Sequence, residues 1–370
     1  MTASLLTEGT FFFPGPTEVR AEVLAAMTRP LIPHRGAAFE SLYATLQDAL
    51  KPIFGTTRPV YVSSSSATGL MEAAVRCAPE GRVLALVNGA FSARFAAITK
   101  ACGHDMDVLE VPYGAVVTLE MVEHALAQQR YAAVTVAHSE TSTGALQDVR
   151  GITRLAHAAG AVCLVDSVTG IGGAELRFDE WGLDFALTGS QKALALPPGL
   201  AFAAATPAFI EAARATARRG LYFDLVEFDA YGAKNQTPNT PAISLFYAAE
   251  VQLPAIVAEG LPARWARHRA MAHQTYEWVD SLAGKYGDDF GILAGPAHRT
   301  PTVTSVTIPS SFAASTLVRA VAERGFTIGN GYGKNRETTF RIGHMGDHTT
   351  ERLAVCLEVC SVCIDDLMRG

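Results

Sequence analysis

Apolar positions mark out the elements of this chain before any chemistry is considered. Phe39, Leu42, Tyr43, Leu46 and Leu50 recur at helical spacing ahead of Gly55, which predicts a helix that stops at the glycine. Beyond it, short apolar runs alternate with helix-length stretches. Residues 82–87, 133–137, 161–165, 184–188 and 201–205 are β-branched or small and apolar, without polar alternation, and Val60-Tyr61-Val62 forms a shorter run. Strands buried on both faces between crossover helices have this pattern, so a largely parallel sheet is expected. Residues 220–241 break the rhythm with aromatics, Asp, Gly and the prolines of KNQTPNTP, and predict an extended loop long enough to be functional. One long helical stretch is expected from Ile243 to about Tyr286. A strand over 302–308, a helix over 314–324, a strand over 339–342 and a helix over 349–368 follow. The fold class is therefore α/β. Residues 1–260 are expected to form a large, mostly parallel sheet domain sandwiched by helices, and residues 261–370 a small C-terminal α+β domain.

Composition narrows the class. The 370 residues are 49% hydrophobic and 18% charged with 32 glycines, which excludes a disordered or collagen-like chain. A net charge of −6 without a basic block argues against nucleic-acid binding through phosphate neutralisation. The Phe11–Phe13 run meets Pro14-Gly15-Pro16 at once and is too short for a signal peptide or membrane span, so a cytoplasmic protein without a membrane partner is expected. Cys356, Cys360 and Cys363 recur on one helical face. No clustered histidine accompanies them, so buried positions are expected rather than a metal site.

Ligands of open parallel sheets bind beyond the carboxyl ends of the strands, so the residues following each run carry the candidate chemistry. Ser63 to Gly69 is a small-residue turn feeding a helix, either a phosphate cradle or a plain capped turn. Phe91 follows the strand ending at Val87 and could stack on a flat cofactor. The polar run His138 to Gly144 follows the next strand. Asp166 ends a fully apolar strand, where a carboxylate is costly to bury unless a cation meets it. Lys192 lies in a strand-end turn before the apolar stretch 193–199, surroundings that disfavour its ammonium form and suit an imine-forming nucleophile. Arg341 follows Phe340 in an apolar strand and needs an anion there, whether a ligand or a structural ion-pair partner. A Schiff-base lysine, an aspartate for a pyridinium nitrogen, an aromatic stacker and a phosphate turn are the parts of a pyridoxal-phosphate site.

The runs VDSVTGIGG and GSQKALALPPG, with FPGPTEV, HSETSTG, TPNTPAISL and FRIGHMGD spread over nearly the whole chain, resemble the class V aminotransferases of pyridoxal-phosphate fold type I. The alanine–glyoxylate, serine–glyoxylate and serine–pyruvate enzymes are the most similar in look. The resemblance implies that Lys192 carries pyridoxal 5′-phosphate as a Schiff base and that Asp166 binds the pyridine nitrogen. It implies that Phe91 stacks on the ring, where the family often has Trp, and that Thr141 bonds the ring hydroxyl. Ser66, Ala67 and Thr68 would hold the phosphate, with Ala67 standing where glycine is usual, and Ser190 and Gln191 would lie beside them. Asn239 and Thr240 would reach the partner's phosphate in a homodimer with shared active sites, and Arg341 would clamp the substrate α-carboxylate. The implied activity is ping-pong transfer of an amino group from serine or alanine to glyoxylate or pyruvate.

Pro33-His34-Arg35-Gly36 keeps a second reading open, because it resembles the pair that binds substrate phosphate in phosphoserine aminotransferases, which use glutamate and 2-oxoglutarate. If the substrate is instead small and uncharged, Arg35 would anchor the N-terminal segment through an ion pair. A class V lyase or desulfurase would need a cysteine in a polar loop, and none of the six cysteines sits in one. A regulator binding nucleotide or sugar phosphate without covalent chemistry is the remaining alternative.

Overall fold

The computed structural model describes residues 9–369; residues 1–8 and 370, which the expected domains include, lie outside it. In chain order, helices α1 (Ala21–Ala26) and α2 (Ala37–Phe54) precede strand β1 (Tyr61–Ser63). Helix α3 (Ala67–Cys77) leads to β2 (Val83–Val87), α4 (Ala90–Ala101) to β3 (Met106–Glu110) and α5 (Leu119–Gln128) to β4 (Ala133–Ala137). The two-residue strands β5 (Ser139–Glu140) and β6 (Ala145–Leu146) form a small ribbon before α6 (Val149–Ala158) and β7 (Val162–Asp166). Then come β8 (Phe185–Gly189), β9 (Ala201–Ala205), α7 (Pro207–Arg214) and α8 (Leu225–Gly232).

The seven-stranded sheet has the order β1-β9-β8-β7-β4-β2-β3. Its ladders are parallel from β8 through β7, β4 and β2 to β3, whereas β9 runs antiparallel to both β8 and β1. Strands β2, β4, β8 and β9 are buried along their whole length, as expected for a sheet covered on both faces. The expected runs at 133–137 and 201–205 coincide with β4 and β9, while those at 161–165 and 184–188 begin one residue early. Residues 220–241 are not wholly extended. Asp224 caps α8 by accepting from the Val226 N–H at 2.9 Å, and a helix forms within the stretch.

The long helical stretch is interrupted at Gly260, whose φ of +82° separates α9 (Ile243–Glu259) from α10 (Leu261–Tyr286). Helix α9 packs on α2, with the rings of Phe246 and Phe39 5.2 Å apart. Farther on, Met271, Val279 and Leu282 of α10 join a different apolar cluster. That cluster lies on a four-stranded antiparallel sheet of β10 (Gly291–Ile292), β11 (Thr304–Thr307), β12 (Gly329–Asn330) and β13 (Thr339–Ile342), in the order β10-β11-β13-β12. Helices α11 (Ala314–Glu323) and α12 (Thr350–Arg369) complete it, and Phe12 from the N-terminal segment packs into the same cluster. Cys360 and Cys363 stand in a Cys-x-x-Cys spacing on α12, and with Cys356 they are free and buried in that apolar packing. Among the described residues, no helix is long and apolar enough to cross a membrane and no group of His, Cys, Asp and Glu could hold a metal ion.

Candidate active site

Adjacent strands β7 and β8 bring the central pair together. Asp166 is paired with Leu187, so both strands end on one edge of the sheet, and Lys192 lies in the loop that follows β8. Gly15, Pro14 and Thr17 cover the lysine from above. Its Nζ donates to the Pro14 carbonyl, its own carbonyl accepts from the Thr17 hydroxyl at 3.0 Å, and the Thr17 N–H reaches Gln191 O at 3.0 Å. Gly15 has φ +101° and lies against the lysine side chain, so any Cβ there would collide with it. Burial, reinforced by the charge of Arg341, pushes the Lys192 amine down to about 7. Burial likewise pushes the Asp166 carboxyl up to about 7, opposed by the Val168 N–H that donates to Oδ1 at 2.8 Å. The amine is thereby available as a nucleophile near neutral pH. Asp166 Oδ2 has no hydrogen-bond donor within the described chain.

The aromatic wall depends on a buried carboxylate. Glu140 accepts from the N–H groups of Phe91 (3.1 Å) and Ser92 (2.9 Å), the first turn of α4, and from the hydroxyls of Ser92 and Ser142. A carboxylate at a helix N-terminus is favourably placed, and here it sets the position of Phe91. The Phe91 ring lies 5.1 Å from that of Tyr332, with the Arg94 guanidinium 4.9 Å and Lys192 Nζ 6.0 Å from its centre. Arg94 also donates to the Tyr332 hydroxyl at 3.1 Å.

Arg341 is only 6% exposed, and burial pushes it down to about 10. Its Nε donates to Asn330 O at 2.8 Å and one Nη to Thr141 O at 3.2 Å. Among the described residues no carboxylate pairs with it, so the structural ion pair does not form and its remaining donors are unspent. On the far side, Ser66 precedes α3 without a side-chain cap bond; the Gly69 N–H is held by Ser66 O at 2.9 Å, and the N–H groups of Ala67 and Thr68 stay open at the helix start. Ser66, Ala67, Thr68, Phe91, Arg94, Thr141, Asp166, Gln191, Lys192 and Tyr332 all line one cavity of about 260 Å³. Thr141 bonds to Thr169 within it.

Several expected residues lie elsewhere in the chain. The Ser190 hydroxyl donates to Pro197 O at 2.7 Å and accepts from the Leu200 N–H at 3.3 Å, closing the β8–β9 loop outside the cavity lining. Asn239 and Thr240 line a narrow surface crevice with Ser64, Tyr222 and Pro241 instead. Arg35 donates to the carbonyls of Thr237 (2.6 Å) and Pro238 (3.0 Å) and lies over the Tyr231 ring, so carbonyls replace the expected ion pair. Neither His34 nor Arg35 lines the cavity. Sequence reasoning missed Arg94, Tyr332, Glu140 and Gly15. Arg94 had a signal, since it lies three residues after Phe91 and shares its helix face. Tyr332 had none, because its place at the cavity comes from tertiary packing.

The chain is similar to known proteins over almost its whole length. The family model described as Aminotransferase class-V matches residues 14–338. An L-aspartate–glyoxylate aminotransferase of Paracoccus denitrificans is 32% identical over 93% of this chain and 88% of its own. A serine–glyoxylate aminotransferase of Arabidopsis thaliana is 31% identical over 96% of this chain and 90% of its own. The crystal structure of an alanine–glyoxylate aminotransferase from Nostoc sp. superposes with a TM-score of 0.91 at 28% identity, covering 98% of this chain and 97% of that one.

Proposed function

This chain belongs to the class-V aminotransferases, and we propose that within that family it uses pyridoxal 5′-phosphate to move the amino group of serine or alanine to glyoxylate or pyruvate. One observation carries the reading: a single cavity is lined by a desolvated lysine and a carboxylate with a free oxygen, and just behind its lining, bonded to the Thr141 carbonyl, stands the buried Arg341 without a carboxylate partner among the described residues. The residues fit the cofactor. Lys192 would bind it covalently, and Asp166 Oδ2 would meet its pyridinium nitrogen. Phe91 would face the ring, Thr141 its hydroxyl, and the open N-terminus of α3 with Gln191 its phosphate. Ala67 takes the place of a glycine in that turn, and Gly189 leaves space for the Gln191 side chain beside it, because a Cβ at 189 would stand 2.7 Å from Gln191 Oε1.

When bound, the cofactor supplies an electron sink that lets an amino acid release its α-proton. Lys192 Nζ would be the group that takes this proton from the substrate Cα, holds it and gives it back. Its lowered pKa suits it both to take and to return the proton. Asp166 would hold the proton of the pyridine nitrogen, and Arg341 would orient the α-carboxylate through its fork of donors. The Pro14–Thr17 cover excludes water above Lys192. Asn239 and Thr240 line no cavity with Lys192 in their own chain, which supports a homodimer in which they complete the partner's phosphate site.

The phosphoserine reading has little support. Arg35 spends its guanidinium on backbone carbonyls, and the rings of His344 are bonded to Pro301 O and the Thr304 hydroxyl. Arg94 favours one extension, because it lines the cavity without a carboxylate partner and could accept a donor with a second carboxylate, such as aspartate. A donor–acceptor matrix tests all of this. Serine or alanine with glyoxylate should exceed phosphoserine with 2-oxoglutarate by more than about tenfold in kcat/KM, roughly 1.4 kcal/mol of transition-state binding. A phosphoserine preference that collapses in Arg35→Ala would overturn it.

A further inference from the structure

A cavity of about 560 Å³ lies apart from the one containing Lys192. It opens between the start of α6, the middle of α10 and the segment 296–301, and Arg150, Arg269 and Arg299 line it. Trp181 and Tyr276 form aromatic walls, and Arg299 lies flat over the Tyr276 ring at 4.8 Å. The acidic groups at the rim are already engaged. Asp148 caps α6 by accepting from the Gly151 N–H at 2.8 Å, and Glu175 pairs with Arg177 at 2.7 Å. Arg150 and Arg269 have no ion-pair partner among the described residues.

Arg150 is also placed against the local field. It occupies the first turn of α6, where the unsatisfied N–H groups already present positive charge, so an anion there would relieve two unfavourable terms. The cavity floor adds an independent sign. His138 is 3% exposed, its backbone N–H is fixed to Asp166 O at 2.8 Å, and Nδ1 is hydrogen-bonded to the Ser167 hydroxyl at 2.9 Å. Its Nε2 has no hydrogen-bond partner among the described residues, although the ring lines the cavity, edge-on to Trp181 at 6.3 Å. In the tautomer whose Nδ1 accepts from the Ser167 hydroxyl, Nε2 carries the ring hydrogen and can donate it to a ligand in the cavity.

We propose that this cavity binds a small organic acid, a carboxylate or phosphate carried on a flat apolar body, with the anion held by Arg150, Arg269 and His138 and the body between Trp181 and Tyr276. Guanidinium forks match either anion, and the aromatic walls favour a planar body. The site is separate from the catalytic cavity and does not depend on the substrate assignment above.

The test is calorimetric titration of the purified holoenzyme with phenyl phosphate and with benzoate, with benzyl alcohol as the uncharged control. Tryptophan emission is followed in parallel. Saturable binding of at least one acid and none of the alcohol is expected, and the tighter acid identifies the anion class. Arg269→Ala and Arg150→Ala should each raise Kd at least tenfold, and Trp181→Phe should abolish the emission change. Arg341→Ala should leave Kd unchanged. Absence of saturable binding by either acid, or loss of binding in Arg341→Ala with retention in Arg269→Ala, would overturn the proposal.

Discussion

The sheet edge that carries Lys192 and the surface segment that carries Asn239 are held in place by different means. At the sheet edge, ladder pairs such as Asp166 with Leu187 fix the backbone inside a fully buried core. The side chains of Lys192 and Asp166 are therefore free to keep polar atoms directed into the cavity. Around Asn239, the order comes from local bonds. Arg35 grips the Thr237 and Pro238 carbonyls, the Thr237 hydroxyl donates to Asn239 O at 2.7 Å, and Ser64 accepts from the Ala242 N–H at 2.8 Å. Within that segment Thr237 and Pro241 are buried, Asn239 is half-buried and Thr240 is exposed. A buried scaffold positions the reacting groups within one chain, and under the proposed dimer the Asn239 segment would supply what the partner's scaffold lacks.

Breaking the first region should have the largest effect. Lys192→Ala is expected to reduce transamination by at least about a thousandfold, within the range for losing a positioned proton carrier, while the protein still binds pyridoxal phosphate weakly. Steady-state turnover and cofactor absorbance check this, and wild-type turnover would refute the role of the lysine. The second region is tested by mixing. Thr240→Arg should be inactive alone, and combining it with Lys192→Ala chains should restore part of the activity, since one site of the heterodimer would be intact. Confirmed heterodimers without activity would count against a shared site.

A smaller effect sharpens the account of the sheet edge. Arg341→Lys keeps the charge but loses the fork, so KM for donor and acceptor should both rise about tenfold, roughly 1.4 kcal/mol each. A change in melting temperature alone, with unaltered kinetics, would make the arginine structural. The pH response of the cofactor-free protein should be smaller still. Native Lys192 loses its proton near 7, whereas an unfolded lysine keeps it to about 10.4, so the unfolded state binds more protons between those values. Stability should therefore rise with pH over that window, and Lys192→Met should flatten the rise. The smallest expected change is Arg35→Ala, which removes hydrogen bonds worth about 1 kcal/mol each at a partly exposed site. Its thermal shift should be modest and serine–glyoxylate turnover nearly unchanged.

How much of this was legible from the residues follows the physics of each element. Strand-end chemistry could be read because parallel strands carry their own signature and deliver functional residues at one end. Strand β3 could not, since Met106-Asp107-Val108-Leu109-Glu110 is a half-exposed edge without a continuous apolar run. The reversal of β9 was indicated only by connection length. Residues 190–200 are too few for a crossover, and an all-parallel expectation overlooks that. Gly260 and Pro262 were visible breakers inside the expected long helix, and the structure uses both. Helix α8 was hidden because its aromatics and acidic residues resemble those of the loops beside it. The meeting of Arg94 with Tyr332, or of Glu140 with α4, joins segments whose proximity only the completed fold establishes.

The antiparallel course of β9 has a consequence for how this scaffold can vary. Because β9 doubles back on β8, the lysine stands on a short closed loop whose two ends are pinned by the Gly189–Ala201 pair and by the Ser190 N–H bonded to Leu200 O. Lengthening a flexible loop costs little entropy, about 0.6 kcal/mol per doubling, so extra residues there would scarcely alter folding. They would nevertheless displace the nucleophile. The other end of β9, at Ala205, opens on the opposite edge of the sheet, where the same insertion would move no reacting atom. Variation in loop length is thus thermodynamically open at both ends of one strand and chemically open at only one of them.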